Sequence, residues 1–256
     1  MLRPLSSLQK FAIRAVDGEI GSVVDSYFDD RQWALRYLVV DTRRWLPGRK
    51  VLISPFSVSG IDGRNETVNV SITREQVKSS PSIDTDKPVS RQHEADFLDY
   101  YGYPHYWGGG MLWGISASPA IPAPSTQRAQ RLEHSSEHGD PHLRSAQSVS
   151  GYHIEARDGM IGHVEDFILD EQTWAVRFFV VDTRNWIPGR RVLLATDWID
   201  EVNWDKRTVR VPLTRDAIRE SPEWDETQQF GETEEQSLYR HYGRTRDAGL
   251  RGGQIR

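Results

Sequence analysis

The residues DTRRWLPGRKVL that begin at Asp41 recur as DTRNWIPGRRVL from Asp182. At the offset of 141 set by this pair, positions 17–84 align with 158–225 without a gap, and 29 of the 68 positions are identical. Glu94, Tyr101 and Gly102 then match Glu235, Tyr242 and Gly243 at the same offset. A tandem duplication limits the fold more than any single motif does. The period is far too long for a solenoid repeat, so each copy needs a hydrophobic core of its own. A chain of 256 residues suits two such domains.

Within one copy the pattern is that of short strands. The stretch DGEIGSVVDSYFDD places Ile20, Val23 and Tyr27 among polar residues, with Gly18 and Gly21 at turn or bulge positions. WALRYLVVD is β-rich around a single Arg36, and VLISPFSVSGID and ETVNVSI follow. Copy two repeats each of these. Thr73 and Thr214 then stand as N-caps before short helices that Pro81 and Pro222 stop, and a further helix is predicted over Arg91–Tyr101. Its counterpart at 232–242 is more polar. Several short antiparallel strands with one apolar face bury best as a closed barrel, which removes exposed edges. The expected fold is therefore mainly β: two small antiparallel β-barrels, each followed by short helices and joined by a flexible linker.

The expected domains are 1–102 and 149–243, with a linker over 103–148 and a disordered tail over 244–256. The linker has two parts. Its polar, proline-punctuated stretch from Ser116 buries too little apolar surface to offset its ordering entropy. Its start, YPHYWGGGMLWG, is more aromatic than a plain linker needs. Tyr103, Tyr106, Trp107 and Trp113 are expected to pack on a barrel or on the other copy, with a disordered segment as the alternative.

Charge and composition narrow the function. The formal net charge is −5, which gives no global attraction for nucleic acid. Cysteine is absent, so disulfides, thiolate metal sites and cysteine nucleophiles are excluded. No run approaches eighteen apolar residues, and the start lacks the apolar core of a signal peptide. A cytoplasmic protein without a transmembrane segment is the expectation.

In the repeated dodecamer, Pro47 and Gly48 specify a tight turn, and Trp45 is expected to lie back over the barrel mouth. Arg43, Trp45 and Arg49, with Arg184, Trp186 and Arg190, are the candidate partner-binding residues. The competing reading is a structural turn whose Trp plugs the barrel. Arg44 becomes Asn185 in copy two, which a site needing two adjacent cations would not tolerate. Basic residues beside Trp also suit single-stranded nucleic acid, but the net charge and the nearby Asp41 and Asp182 disfavour RNA.

Other chemistry finds little footing. His134, His138 and His142 stand four apart, but Gly139, Asp140 and Pro141 interrupt any helix that would gather them around zinc. Asp25/Asp166 and Asp41/Asp182 recur, and recurring acids in a duplicated fold are more often turn caps or ion pairs than catalytic dyads. Gly108–Gly110 lacks the Lys-Ser/Thr ending of a phosphate loop. Neither a catalytic residue nor a cofactor nor a metal is expected.

The Asp-Gly-x-Ile-Gly opening, the strand reaching Val-Val-Asp-Thr, the Trp-x-Pro-Gly-Arg-x-Val-Leu segment and the TREQVKSSP-type helix together resemble the PRC-barrel family. That family includes the cytoplasmic domain of the photosynthetic reaction-centre H subunit and the C-terminal domain of the ribosome maturation factor RimM. The resemblance covers about 5–102 and 149–243, and is nearest to stand-alone bacterial tandem PRC-barrel proteins. It implies six-stranded barrels forming a non-catalytic adaptor that docks on protein or ribonucleoprotein partners. Two copies would engage two sites, self-associate, or pair as an intrachain pseudo-dimer. The alternatives are an RNA- or ribosome-associated processing factor using the Arg/Trp loops, and an accessory of photosynthetic electron transfer. The latter rests on family analogy alone.

Overall fold

The computed structural model describes residues 1–42, 45–81, 89–107, 109–121, 142–183, 190–228 and 230–245. In chain order its strands are β1 (Leu2–Pro4), β2 (Ala12–Ala15), β3 (Gly18–Asp29), β4 (Ala34–Asp41), β5 (Lys50–Ile53), β6 (Val58–Asp62) and β7 (Thr67–Val70). After the first copy come β8 (Leu143–Ser145), β9 (His153–Ala156), β10 (Gly159–Asp170), β11 (Val176–Asp182), β12 (Arg191–Ala195), β13 (Glu201–Asn203) and β14 (Thr208–Arg210). The chain forms two compact units. The first-repeat unit comprises Ser7–Ser145 with Gln172–Trp174. The second-repeat unit comprises Met1–Ser6, Ala146–Glu171 and Ala175–Arg256.

Each unit is built on a mixed, seven-stranded sheet. In the first the order is β5-β4-β3-β2-β7-β6, with β8 also paired to β3; in the second it is β12-β11-β10-β9-β14-β13, with β1 paired to β10. The expected all-antiparallel arrangement is corrected at one place in each unit: β2 runs parallel to β7, and β9 parallel to β14. The cause is local. After β5 the chain makes a single 3-10 turn at Pro55–Ser57 and continues as β6. The hairpin from β6 then brings β7 back parallel to β2 rather than against it. Among the described residues, no strand pairing joins β5 to β6 or β12 to β13. What the hydrogen bonds define is therefore two sheets of seven strands instead of six.

The sequence motifs find direct physical uses in the core. β4 is buried along nearly its whole length, which explains its unbroken apolar run. Gly18 and Gly159 open β3 and β10 at φ of 143° and 130°. A Cβ on Gly21 would lie 2.1 Å from the carbonyl oxygen of Asp41, and one on Gly162 would lie 2.1 Å from that of Asp182. Only glycine permits this approach of two backbones. Asp29 closes the β3–β4 hairpin by accepting from the backbone N–H groups of Arg31 and Gln32 at 2.9 and 3.2 Å.

Helices follow their capping signals. Helix α1 (Arg74–Ser79) begins in a capping box between Thr73 and Gln76. Helix α2 (Arg91–Tyr101) starts at Ser90 and ends on Gly102 in the left-handed conformation. In copy two, α3 (Ala146–Val149) precedes β9, α4 (Arg215–Arg219) is capped by Thr214, and α5 (Glu232–His241) carries acids in its first turn and bases in its last.

One feature of the topology departs from two self-contained repeats. β3 spans twelve residues, but β2 covers only its first part, from Gly18 to Ser22. The rest of that edge, Tyr27 to Asp29, is covered by β8, the segment just before copy two. The second-repeat unit is the mirror case: β9 covers Gly159 to His163 of β10, and β1 from the chain's start covers Ile168 to Asp170. The expected boundaries at 102 and 149 thus miss an exchange. Each unit takes its seventh strand from the segment that opens the other copy.

Replacing Gly21 or Gly162 with alanine is expected to destabilise the protein by roughly 2–3 kcal/mol. Gly60→Ala, whose Cβ would meet nothing within 4 Å, should leave thermal stability nearly unchanged.

Candidate functional site

The repeated loop is held at its base by the same device in both units. Thr42 donates its hydroxyl to the carbonyls of Leu46 and Arg49, and its N–H bonds the Arg49 carbonyl at 3.2 Å. Thr183 repeats this on the Arg190 carbonyl at 3.0 Å through its hydroxyl and 3.1 Å through its N–H. Gly48 supplies the positive φ, 78°, that the Pro-Gly turn requires. Pro47 and Gly48 are exposed and Trp45 is half-buried.

The candidate residues divide in role. Arg49 donates to the carbonyls of Lys78 and Ser80 at 2.6 and 2.5 Å. Arg190 donates to the carbonyl of Ser221. Both guanidinium groups thereby satisfy carbonyls at the end of the short helix that follows the sheet, where cations are favoured. They tie the base of each loop to the end of that helix. Trp45 lies under the Arg74 guanidinium, 4.7 Å from its ring, with part of the indole left in solvent. It thus packs against Arg74 at the start of α1. Arg43, Arg184 and Trp186 lie outside the described residues.

The aromatic start of the expected linker belongs to the first-repeat unit. Tyr103, Tyr106 and Trp113 are buried, and Trp113 meets Phe56 edge-on with ring centroids 4.9 Å apart. Tyr103 packs 5.4 Å from Phe56. Trp107 stacks on His105 and under Arg91.

This segment closes over a buried ionic cluster that no motif announced. Arg36 is fully buried. It donates to the Leu112 carbonyl at 2.8 Å, to Asp29 at 3.3 Å and to Gln32, with its guanidinium 3.7 Å from the Tyr106 ring centre. Glu94 on α2, equally buried, accepts from the hydroxyls of Tyr37 and Tyr106 and pairs with Arg91 at 3.4 Å. His142 Nε2 sits 3.2 Å from Glu94 and 3.1 Å from the Tyr106 hydroxyl. Burial, and then the neighbouring Glu94 carboxylate, push Tyr37 and Tyr106 well above the ordinary phenol range, so both stay protonated donors. At Asp29 burial opposes ionisation, but Arg36, His142 and the two backbone donors outweigh it and hold the carboxyl below its usual range. In the second-repeat unit the same positions make a simpler pair: Arg177 bonds Glu235 at 2.5 Å.

The sequence did carry a trace of this cluster. Arg36 and Arg177 interrupt apolar strands at matching positions, and Glu94 and Glu235 match on the helices. The repeated charges meet as an ion pair in the second-repeat unit, whereas in the first each takes other partners. His142 is thus accounted for by Glu94 and Tyr106, while His134 and His138 lie outside the described residues. Among the described residues no three potential metal ligands gather, and no helix is long and apolar enough to cross a membrane. Comparison with protein-family models and with curated proteins finds no match for this chain.

Arg36→Met should cost about 3–5 kcal/mol in urea unfolding, because it strands a buried Asp29 carboxylate. Arg177→Met should cost less, since the Arg177 side chain is 24% exposed. The pH dependence has a definite sign. A depressed carboxyl contributes stability above its unfolded value of 3.8 and loses it as pH falls. The destabilisation by Asp29→Asn is therefore expected to be full at neutrality and to shrink only as the medium is acidified below 3.8, toward the lowered folded-state value, read as the difference in Tm.

Proposed function

We propose that the chain is a non-catalytic adaptor of the PRC-barrel kind, and that its two Trp-Pro-Gly loops dock on protein partners. The observation that carries this reading is the build of the loop. Its base is pinned by Thr42 and Arg49 to fixed carbonyls, and the same Thr183 and Arg190 contacts recur in the second unit. Trp45 is held in place by Arg74 while part of its ring faces solvent. A large, preorganised aromatic beside an exposed turn loses little conformational entropy on binding, which is what an interface anchor needs. The duplication repeats the loop's sequence, so one chain would hold two such sites at raised effective concentration. The Arg36–Glu94 region supports the same reading from another side: its ionisable groups are sealed from solvent and bonded to one another, as befits a scaffold.

The arginine geometry favours protein over RNA. Two of the four arginines that an RNA-binding surface would use, Arg49 and Arg190, already donate to backbone carbonyls of their own unit. They are poorly placed to neutralise phosphates.

The test is quantitative capture of partners from the source cells with tagged wild-type protein and loop variants. Trp45→Ala and Trp186→Ala should each reduce retention of the same partner, and the double variant should reduce it at least tenfold with a cooperative thermal transition retained; loss of the Arg74 contact should cost Trp45→Ala on the order of 1 kcal/mol. Arg49→Met should instead lower Tm, because it releases two helix-end carbonyls. Retention unchanged in the double Trp variant overturns the reading, as does association with RNA that weakens steeply with salt.

A further inference from the structure

The exchanged strands are joined to their sheets by more than backbone pairing. β1 meets β10 with Leu2 opposite Asp170 and Pro4 opposite Ile168. β8 meets β3 with Leu143 opposite Asp29 and Ser145 opposite Tyr27. The two registers coincide when shifted by the repeat offset, and both strands begin Leu-Arg. Each arginine reaches an acid at the same place on the receiving edge: Arg3 pairs with Glu171, and Arg144 with Asp30 at 2.7 Å. Each incoming segment also gives a serine hydroxyl to an acid of the long strand. Ser6 bonds Asp166 at 2.5 Å, and Ser145 bonds Asp25 at 2.6 Å. The recurring acids Asp25 and Asp166 therefore have a use: they clamp the strand that arrives from the other copy.

We propose that these receiving edges are homotypic docking sites, able to take the same Leu-Arg strand from a second copy of this chain and so to assemble chains by strand exchange. The chemistry at an edge is backbone ladder, Arg–carboxylate pair and Ser–carboxylate bond, and none of these distinguishes a strand of the same chain from one of another. What favours the internal strand is its effective concentration alone. Exchange of an identical short element is also a low-cost route from one chain to an assembly of two. The site is separate from the Trp loops, and either reading stands if the other fails.

The experiment uses full-length chains of opposite charge design. One carries R3E and R144E, which sets acid against acid within the chain. The other carries D30R and E171R, which sets base against base. Each alone is expected to be a monomer of lowered Tm. Refolded together, they satisfy every pair only across chains, and should yield a 1:1 particle of twice the monomer mass in native mass spectrometry, with Tm restored. Where either chain does not fold alone, the joint refolding reads the same result. A third chain carrying all four substitutions should return to the monomer with near wild-type Tm, showing that the edges read charge. A mixture that stays at monomer mass, or a fourfold variant that does not regain Tm, overturns the proposal.

Discussion

A β-strand of twelve residues beside a neighbour of four leaves a row of backbone N–H and C=O groups without partners. Such an edge is costly to bury and invites unwanted pairing. β3 and β10 both have this shape, and in both units the open length is filled by three residues from the segment that opens the other copy. Much else follows from that one requirement. Arg3, Ser6, Arg144 and Ser145 are where they are because an incoming strand must be recognised as well as paired. Asp25, Asp30, Asp166 and Glu171 are the complementary charges on the edge. Burial raises the carboxyls of Asp166 and Asp30, while Ser6 and Arg144 respectively draw them down again. The bonds at each edge thus offset part of the cost of placing acids there.

The two units share a plan and differ in how they complete it. Both set an arginine on the strand next to the sheet's end, β4 or β11, and a glutamate on the following long helix, α2 or α5. In the second-repeat unit the two meet directly and the arginine stays partly exposed. In the first, Tyr37 stands where the second has Phe178, and Tyr106 and the Leu112 carbonyl lie against the arginine. The arginine turns to Asp29, Gln32 and the Leu112 carbonyl, and the glutamate to two tyrosines, Arg91 and His142. Where the second unit has a simple ion pair, the first has a network in which each buried charge holds several donors or acceptors, as burial away from solvent requires. His142 stands directly before β8, so the network and the exchanged strand are adjacent along the chain.

The loop shows how a motif's shape is set locally while the partners of its side chains come from elsewhere in the fold. Pro47, Gly48 and the threonine of Asp-Thr are turn chemistry, and they behave as such. The arginines at 49 and 190 looked like a surface offered to a partner. They instead reach helix-end carbonyls 29 to 31 positions away in sequence. Spacing within a motif says nothing about acceptors that the fold brings in from elsewhere. In the first loop the half-buried Trp45 is supported by Arg74, a cation from outside the motif.

Local rules decided much of this protein from its sequence. The duplication appears as identities at one offset, the glycines at 18 and 21 as backbone needs, the short helices as caps at Thr73 and Thr214, and the helix at 91–101 as apolar residues at helical spacing. Each depends on residues only a few positions apart, or on a comparison of the chain with itself. Three things were left to tertiary structure: the parallel pairing of β2 with β7, the company of Arg36, and the origin of the seventh strands. Each of these is a pairing between segments distant in sequence. Leu-Arg at positions 2 and 143 carries no sign of which edge it will meet, because a three-residue strand has too little pattern to name a partner. That choice is made by the uncovered length of β3 and β10 and by the acids placed along it.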